Sequence, residues 1–334
     1  MFAARDCVMT ESWELYRLWC RRTSCRDRFC AGRRRMGKTR GWVVTLVRCA
    51  AVTAMLASGP AMAQEFKSPD ILVLGDSQIS FGSGPVFVDF LSNIEARCAP
   101  SGRDKRRLKN FDPQNTGVIG VRSSSIHSWT ARSGAAKGSI CDVDQKWKVN
   151  AGTYGVVNKT DNQFKQMGQG RNYQFCTAGK SPFEAMFQEG YYDPDLLILS
   201  FLGNAARRWA DNPDLAIKDA QRLSAHLPQD LPCVFMTTAP AYTKKVAKLR
   251  ARAQANIKSA FAQTGNRCVF VEGITPETVA ANQSTPRFFR RNDAGKVKDP
   301  YHPNERGARH FFDLRGPAIC KAVFSALGGS GSGS

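Results

Sequence analysis

Two tetrapeptides hold the residues best suited to chemistry. Gly75-Asp76-Ser77-Gln78 follows directly on the apolar run Ile71-Leu72-Val73-Leu74, and Asp299-Pro300-Tyr301-His302 lies near the end of the chain. A hydroxyl, an imidazole to take its proton and a carboxylate to orient that imidazole are the minimum equipment for attack on an acyl carbon. Ser77 is the expected nucleophile, His302 the base and Asp299 its orienter. Pro300 and Pro303 keep the second segment out of a regular helix, so Asp299 and His302 should meet across a turn. The chain has no C-x-x-C or H-x-x-x-H spacing, so neither a metal nor a cofactor is expected.

Such a site needs a scaffold that brings distant segments together. Apolar runs of strand length recur at Ile71–Leu74, Gly117–Val121, Leu196–Phe201, Cys233–Met236 and Cys268–Val271. Their continuous apolar character suits strands covered on both faces. Helical patterns lie between and after them. One spans Val86 to Ile94, and one spans Pro213 to Leu227 with Asn212 as cap. A third covers Lys244 to Gln263, where Val246, Leu249, Ala253, Ile257 and Phe261 form an apolar stripe, and a last runs from Asn304 to Ala326. This alternation predicts an α/β fold, a three-layer α/β/α sandwich around a mostly parallel sheet. Residues 127–190 interrupt it and read as a long insertion held by at least one disulfide. Arg103 to Lys109 reads as an exposed loop.

In an open α/β sheet, ligands bind beyond the carboxyl ends of the strands, where Ser77 is expected. There its own backbone N–H, at a helix start, is available to a developing oxyanion.

The N-terminal region bears on compartment. Met36 to Arg40 is basic, Gly41 to Leu56 is mostly apolar, and Ala61-Met62-Ala63 supplies small residues at the positions a signal peptidase reads. This pattern predicts a secretory signal over 36–63, cleaved before Gln64, with Met36 as the true start. After cleavage no stable membrane insertion is expected. The mature domain is 64–327, and 328–334 reads as a Gly/Ser linker. Removing residues 1–63 leaves six of the 11 cysteines: Cys98, Cys141, Cys176, Cys233, Cys268 and Cys320. An even set in an exported chain predicts up to three disulfides, with the pairing open, and periplasmic or extracellular residence. The same removal leaves 36 Lys/Arg against 24 Asp/Glu, a net +12, which favours acidic partners. Nucleic acid is not expected, because no recognisable binding module is present.

With its Gly75-Asp76-Ser77-Gln78 block, its Asp299-x-x-His302 block and Gly203-Asn204 after the strand Leu196–Phe201, the chain resembles the SGNH hydrolase superfamily, the GDSL-type esterases and lipases. The resemblance spans residues 68–326 and implies a flavodoxin-like sheet. It also implies Ser77, His302 and Asp299 as catalytic residues and Asn204 as an oxyanion donor through its amide. The third block departs from the family's usual Gly-x-Asn, since glycine stands directly before asparagine here. For the second-block glycine, Gly120 is preferred over Gly117 because it lies nearer its strand end.

Substrate contacts are expected from His127, just past a strand, and from Arg207-Arg208-Trp209, where guanidiniums and an indole suit an acidic sugar. Arg287, Arg290 and Arg291 are expected to extend that basic rim, whereas His226 and His310 read as structural. The expected activity is removal of acyl groups, acetyl most simply, from an envelope or extracellular carbohydrate. The alternatives are transfer of acetyl or succinyl to a glycan by the same acyl-enzyme, and a non-catalytic glycan-binding role. A lipid-directed esterase is disfavoured by the polar insertion.

Overall fold

Alternate residues of β1 (Ile71–Gly75) point to opposite faces, and both faces are covered. Ile71 and Val73 enter one apolar cluster, Leu72 and Leu74 the other. The same division separates Leu196 and Ile198 from Leu197 and Leu199 in β5 (Leu196–Ser200), and Val234 and Met236 from Cys233 and Phe235 in β6 (Cys233–Met236). Two-sided burial is the physical origin of the continuous apolar runs in the sequence.

The computed structural model describes residues 68–110, 112–134, 138–142, 153–155, 165–166 and 175–329. All belong to one unit, Ala63–Ser334. The expected signal sequence, its cleavage site and the start at Met36 lie outside the described residues.

With β2 (Thr116–Val121) and β7 (Val269–Val271), these strands form a parallel sheet ordered β2-β1-β5-β6-β7. Two short strands inside the insertion, β3 (Thr153–Gly155) and β4 (Lys165–Gln166), extend the sheet antiparallel beyond β2. The helices are α1 (Gly84–Ser92), α2 (Ile94–Cys98), α3 (Gly102–Arg107), α4 (Ile126–Thr130) and α5 (Ala206–Asp211). They continue with α6 (Pro213–His226), α7 (Lys244–Gln263), α8 (Pro276–Ser284) and α9 (Glu305–Gly329). Phe87 of α1 packs with Phe312 and Val323 of α9 on one face, and Trp209, Leu223 and Ile257 of α5, α6 and α7 pack on the other. The result is the expected three-layer α/β/α sandwich.

Several boundaries differ from expectation. The stretch Arg103 to Lys109 is not a loop but α3 and a following turn, pinned by Arg107, which donates to the Phe324 carbonyl at 3.0 Å. The final helix continues to Gly329, two residues into the Gly/Ser stretch. Its start is capped by Asn304, whose Oδ1 accepts from the Gly307 N–H at 3.0 Å.

All six expected cysteines pair. Cys98–Cys320 ties α2 to α9, Cys141–Cys176 lies within the insertion, and Cys233–Cys268 joins β6 to the residue before β7. Among the described residues, no helix is long and apolar enough to cross a membrane.

Candidate active site

In a sheet of this order, the strand connections leave in opposite directions from β1 and β5, and the crevice between their carboxyl ends is the usual ligand site. Asp76-Ser77 follows β1, and Gly203-Asn204 follows β5. Gly75 is required here for close approach and not, as a turn would demand, for an unusual φ. A Cβ on it would stand 2.4 Å from the Ser200 carbonyl oxygen and 2.5 Å from Ile79 Cδ1.

The chain then turns into a short π-helical segment, Ile79–Ser83, that leads into α1. Gly82 in this segment meets the other half of the site: a Cβ there would fall 2.5 Å from the Pro303 carbonyl oxygen. That contact sets the segment after Ser77 directly against the loop carrying His302.

Ser77 Oγ lies 2.8 Å from His302 Nε2. His302 Nδ1 lies 2.9 Å from Asp299 Oδ2 and 3.1 Å from Oδ1. Asp299 Oδ1 also accepts from the backbone N–H groups of Tyr301, at 3.0 Å, and His302, at 3.3 Å, so the turn orients its own carboxylate. Arg290 donates to Asp299 Oδ2 at 2.7 Å. Burial pushes the Asp299 carboxyl up, but the hydrogen bonds from His302 and Arg290 reverse this and hold it far below the ordinary carboxylate range. The carboxylate is therefore ionised and able to fix the imidazole with Nε2 as proton acceptor toward Ser77.

Asp76 braces the turn more extensively than the sequence implies. Its Oδ1 accepts from the Gln78 N–H at 2.9 Å, and its Oδ2 from the Gly203 N–H at 3.2 Å and the Leu202 N–H at 3.4 Å. One carboxylate thus binds the β1 and β5 turns together. It is fully buried, and burial pushes its carboxyl up against the opposing pull of the Gln78 N–H, Arg250 and His302. Arg250 faces it across Gly203: a Cβ on Gly203 would stand 3.1 Å from Arg250 Nη2 and 3.5 Å from Asp76 Oδ2. Glycine directly before Asn204 is thereby explained, because a side chain would crowd this pair.

Arg250 itself is buried in the middle of α7, and sequence reasoning missed it. The signal was present: it stands four residues after Val246 and three before Ala253, on the apolar stripe and not on the solvated face.

The oxyanion candidates divide. Asn204 stands at the crevice, and its Nδ2 donates to the Ser124 carbonyl at 2.9 Å. Gly120 does not fit the expected role. It lies inside β2, in register with Gly75 on one side and Tyr154 on the other, and its carbonyl accepts from Ser80 Oγ at 2.7 Å. The space a Cβ would need is filled by Ile79 and by the Ser80 backbone nitrogen, at 2.7 to 2.9 Å. The chain reaches the crevice one turn later. Ser123 adopts a left-handed φ of 61°, and Ser124 Oγ donates to the carbonyls of Val121 at 2.7 Å and Gly75 at 3.3 Å. The turn Arg122–Ser124 thereby bonds both Gly75 and Asn204. A serine in a left-handed turn carries no glycine signature, which hid it from sequence reasoning.

The expected sugar rim is also redrawn. Trp209 is fully buried and donates from Nε1 to Asp219 Oδ2 at 2.9 Å, so its ring packs in the core and offers no face to a sugar. Arg207 is exposed and lies 4.0 Å from Asp211. Arg208 is half-buried on the same helix. His127 sits in α4 with Nδ1 2.7 Å from Arg222 Nη1 of α6. Burial and that guanidinium hold its pKa below the ordinary imidazole value, so it acts as a neutral acceptor in a helix contact. His226 bonds the Arg222 carbonyl one turn back, and His310 stacks near Phe288. Among the described residues, no group of three His, Cys, Asp or Glu side chains forms a metal cradle.

No family's sequence profile matches the chain, and no curated protein matches it. Among solved structures, the chain is similar to a DUF4886 family protein from Bacteroides uniformis, at 12% identity and TM-score 0.37, covering 78% of this chain and 93% of that one. It is also similar to a peptidoglycan O-acetylesterase, at 17% identity and TM-score 0.28, covering 43% of this chain and 41% of that one.

Proposed function

We propose that this protein is an exported serine esterase of SGNH type that removes O-acyl groups, acetyl most simply, from an envelope or extracellular carbohydrate. One observation carries the reading: Ser77 Oγ, the His302 imidazole and the Asp299 carboxylate stand in an unbroken hydrogen-bonded chain of 2.8 and 2.9 Å. Their order along the sequence, with Ser77 just after β1 and Asp299 and His302 in the loop before α9, matches the family that the sequence resembles. In the reaction, Ser77 Oγ attacks the ester carbonyl carbon as its proton passes to His302 Nε2. The imidazolium is stabilised by Asp299 and gives the proton to the departing sugar oxygen as the acyl C–O bond breaks, leaving the acyl group on Ser77. Water, deprotonated by His302, then attacks the acyl-serine, releasing the carboxylic acid and restoring Ser77.

Three disulfides support residence in an oxidising compartment. The carbohydrate end of the reading rests on the expected residence in the envelope or outside the cell, since the buried Trp209 removes the indole from the rim.

The test is acyl-ester hydrolysis combined with labelling by a serine-directed fluorophosphonate. Wild type should turn over p-nitrophenyl acetate and take up the label at Ser77. Ser77→Ala and His302→Ala should each lower turnover by several orders of magnitude. An unlabelled Ser77 together with no ester turnover would replace the enzyme with a non-catalytic binding protein, and undiminished hydrolysis in Ser77→Ala would rule out Ser77 as the nucleophile. Added glycan hydroxyls that divert the acyl group away from water would identify a transferase.

A further inference from the structure

The chemistry itself limits where the sugar can lie. The departing sugar oxygen takes its proton from His302 Nε2, so it must come within hydrogen-bond reach of that atom, about 2.6–3.2 Å. The acyl oxygen points instead to the oxyanion donors. The sugar ring therefore belongs on the imidazole side of Ser77.

Two aromatic rings flank that imidazole. Phe81 lies 4.6 Å from it between ring centroids, but the guanidiniums of Arg122 and Arg290 already lie against Phe81, with Cζ 4.3 and 4.7 Å from its centre. Tyr301 lies 6.4 Å from the imidazole, with the planes at 62°. It is 49% exposed, and among the described residues it is the one large hydrophobic residue that is exposed.

The backbone of Tyr301 is nevertheless fixed. Its N–H donates to Asp299 Oδ1 at 3.0 Å, and its carbonyl accepts from Gln78 Nε2 at 3.3 Å and Arg250 Nη1 at 3.2 Å. The carbonyl before it, of Pro300, accepts from the Tyr242 N–H at 2.9 Å. The phenol also acts on the buried Arg250 guanidinium, which faces Asp76 across Gly203, so the ring stays on the crevice side of its loop. A ring held in place through its backbone, with its face in water, loses little freedom when a ligand stacks on it. Trp209 offers no such face, because its indole is buried.

We propose that Tyr301 is the stacking platform for the leaving pyranose and determines specificity for the sugar half of the ester. The inference rests on the serine-esterase reading above and names the residue that selects carbohydrate.

The test compares kcat/KM for a mono-O-acetylated methyl glucoside with that for ethyl acetate, which has the same acyl group and no ring. Wild type should favour the sugar ester. In Tyr301→Ala the ratio of the two should fall about tenfold, mainly through KM for the sugar ester, as expected for one lost stacking contact. Tyr301→Phe keeps the face without the hydroxyl and should hold most of the ratio. No preference for the sugar ester in wild type, or a ratio that Tyr301→Ala leaves unchanged, would overturn the platform. So would an equal fall in Tyr301→Phe and Tyr301→Ala, because the hydroxyl and not the ring would then carry recognition. Saturation-transfer NMR of the acetylated glucoside with Ser77→Ala, with and without Tyr301→Ala, separates this claim from the enzyme reading. Tyr301-dependent binding with no ester turnover in wild type would end the esterase and keep the platform. Turnover of both esters without dependence on Tyr301 would do the reverse.

Discussion

Gln78 and Arg250 donate to the same two carbonyls. Gln78 Nε2 reaches Ala239 O at 3.0 Å and Tyr301 O at 3.3 Å, and Arg250 Nη1 reaches the same atoms at 3.1 and 3.2 Å. Gln78 directly follows Ser77, and Tyr301 lies between Asp299 and His302. A single backbone oxygen therefore links the serine turn to the acid–imidazole turn, across more than 220 residues of sequence. This network adds to the hydrogen bonds among Ser77, His302 and Asp299 in setting the two turns against each other.

Arg250→Met tests the network. The change removes two hydrogen bonds and leaves the buried Asp76 carboxylate without the cation across Gly203. Losing hydrogen bonds from a buried charged group costs about 1.5–3 kcal/mol. Arg250 also favours the ionised form of the buried Asp76, so adding Asp76→Asn should recover part of the loss. Urea unfolding of the two single variants and the double variant gives the coupling directly. Strictly additive losses would show that Arg250 and Asp76 act independently.

Asp299 makes acid stability a readout of the site. Its carboxyl lies below the ordinary value of about 3.9 in the fold, so the ionised form is favoured there. The stabilisation is complete above the unfolded-state value and is lost as pH falls through the folded-state one. The stability advantage of wild type over Asp299→Asn should therefore be largest near pH 6 and narrower at pH 2.5. Arg290→Met should narrow it as well, because Arg290 supplies one of the hydrogen bonds holding the carboxylate ionised. Curves that stay parallel from pH 6 to 2.5 would contradict the assignment.

Much of this organisation is legible in the sequence, for identifiable reasons. Two-sided burial writes strands such as Leu196–Ser200 as unbroken apolar runs, and the stripe of α7 fixes Lys244–Gln263 to the residue. The Asp-x-x-His spacing carries its own geometry, since a three-residue turn suffices to bring Asp299 to His302. What stayed hidden depends on tertiary contact. The side-chain pattern of Trp209 is the same whether the indole lies in the core or on a rim, and only its bond to Asp219 decides. Arg250 was visible on an apolar stripe, but its partners come from the turn after β1, the segment after β6 and the loop before α9. The strands β3 and β4 are too short, at three and two residues, to give a period.

Asn204 offers a kinetic test of the crevice. An amide carries two N–H donors, and one is committed to the Ser124 carbonyl. The second is the one expected to meet the developing oxyanion. Asn204→Ala should lower kcat by about 10²–10³-fold with KM nearly unchanged, as for loss of a donor used only in the transition state. A rise in KM at constant kcat would instead assign Asn204 to ground-state binding.

The Cys98–Cys320 bond separates stability from catalysis. It spans 222 residues of sequence and fastens α2 to α9, the helix that begins three residues after His302. Constraint of so long a loop in the unfolded chain contributes about 2–5 kcal/mol. Cys320 lies 15 residues into that helix, roughly 22 Å along its axis from the catalytic loop. The pair Cys98→Ser and Cys320→Ser should therefore lower the unfolding midpoint substantially while leaving kcat/KM at 25 °C within about twofold of wild type. The start of α9 remains fixed by the Asn304 cap and by the packing of Gly82 against Pro303, neither of which involves the disulfide. A large fall in kcat/KM well below the unfolding midpoint would mean that the far end of α9 governs where His302 stands.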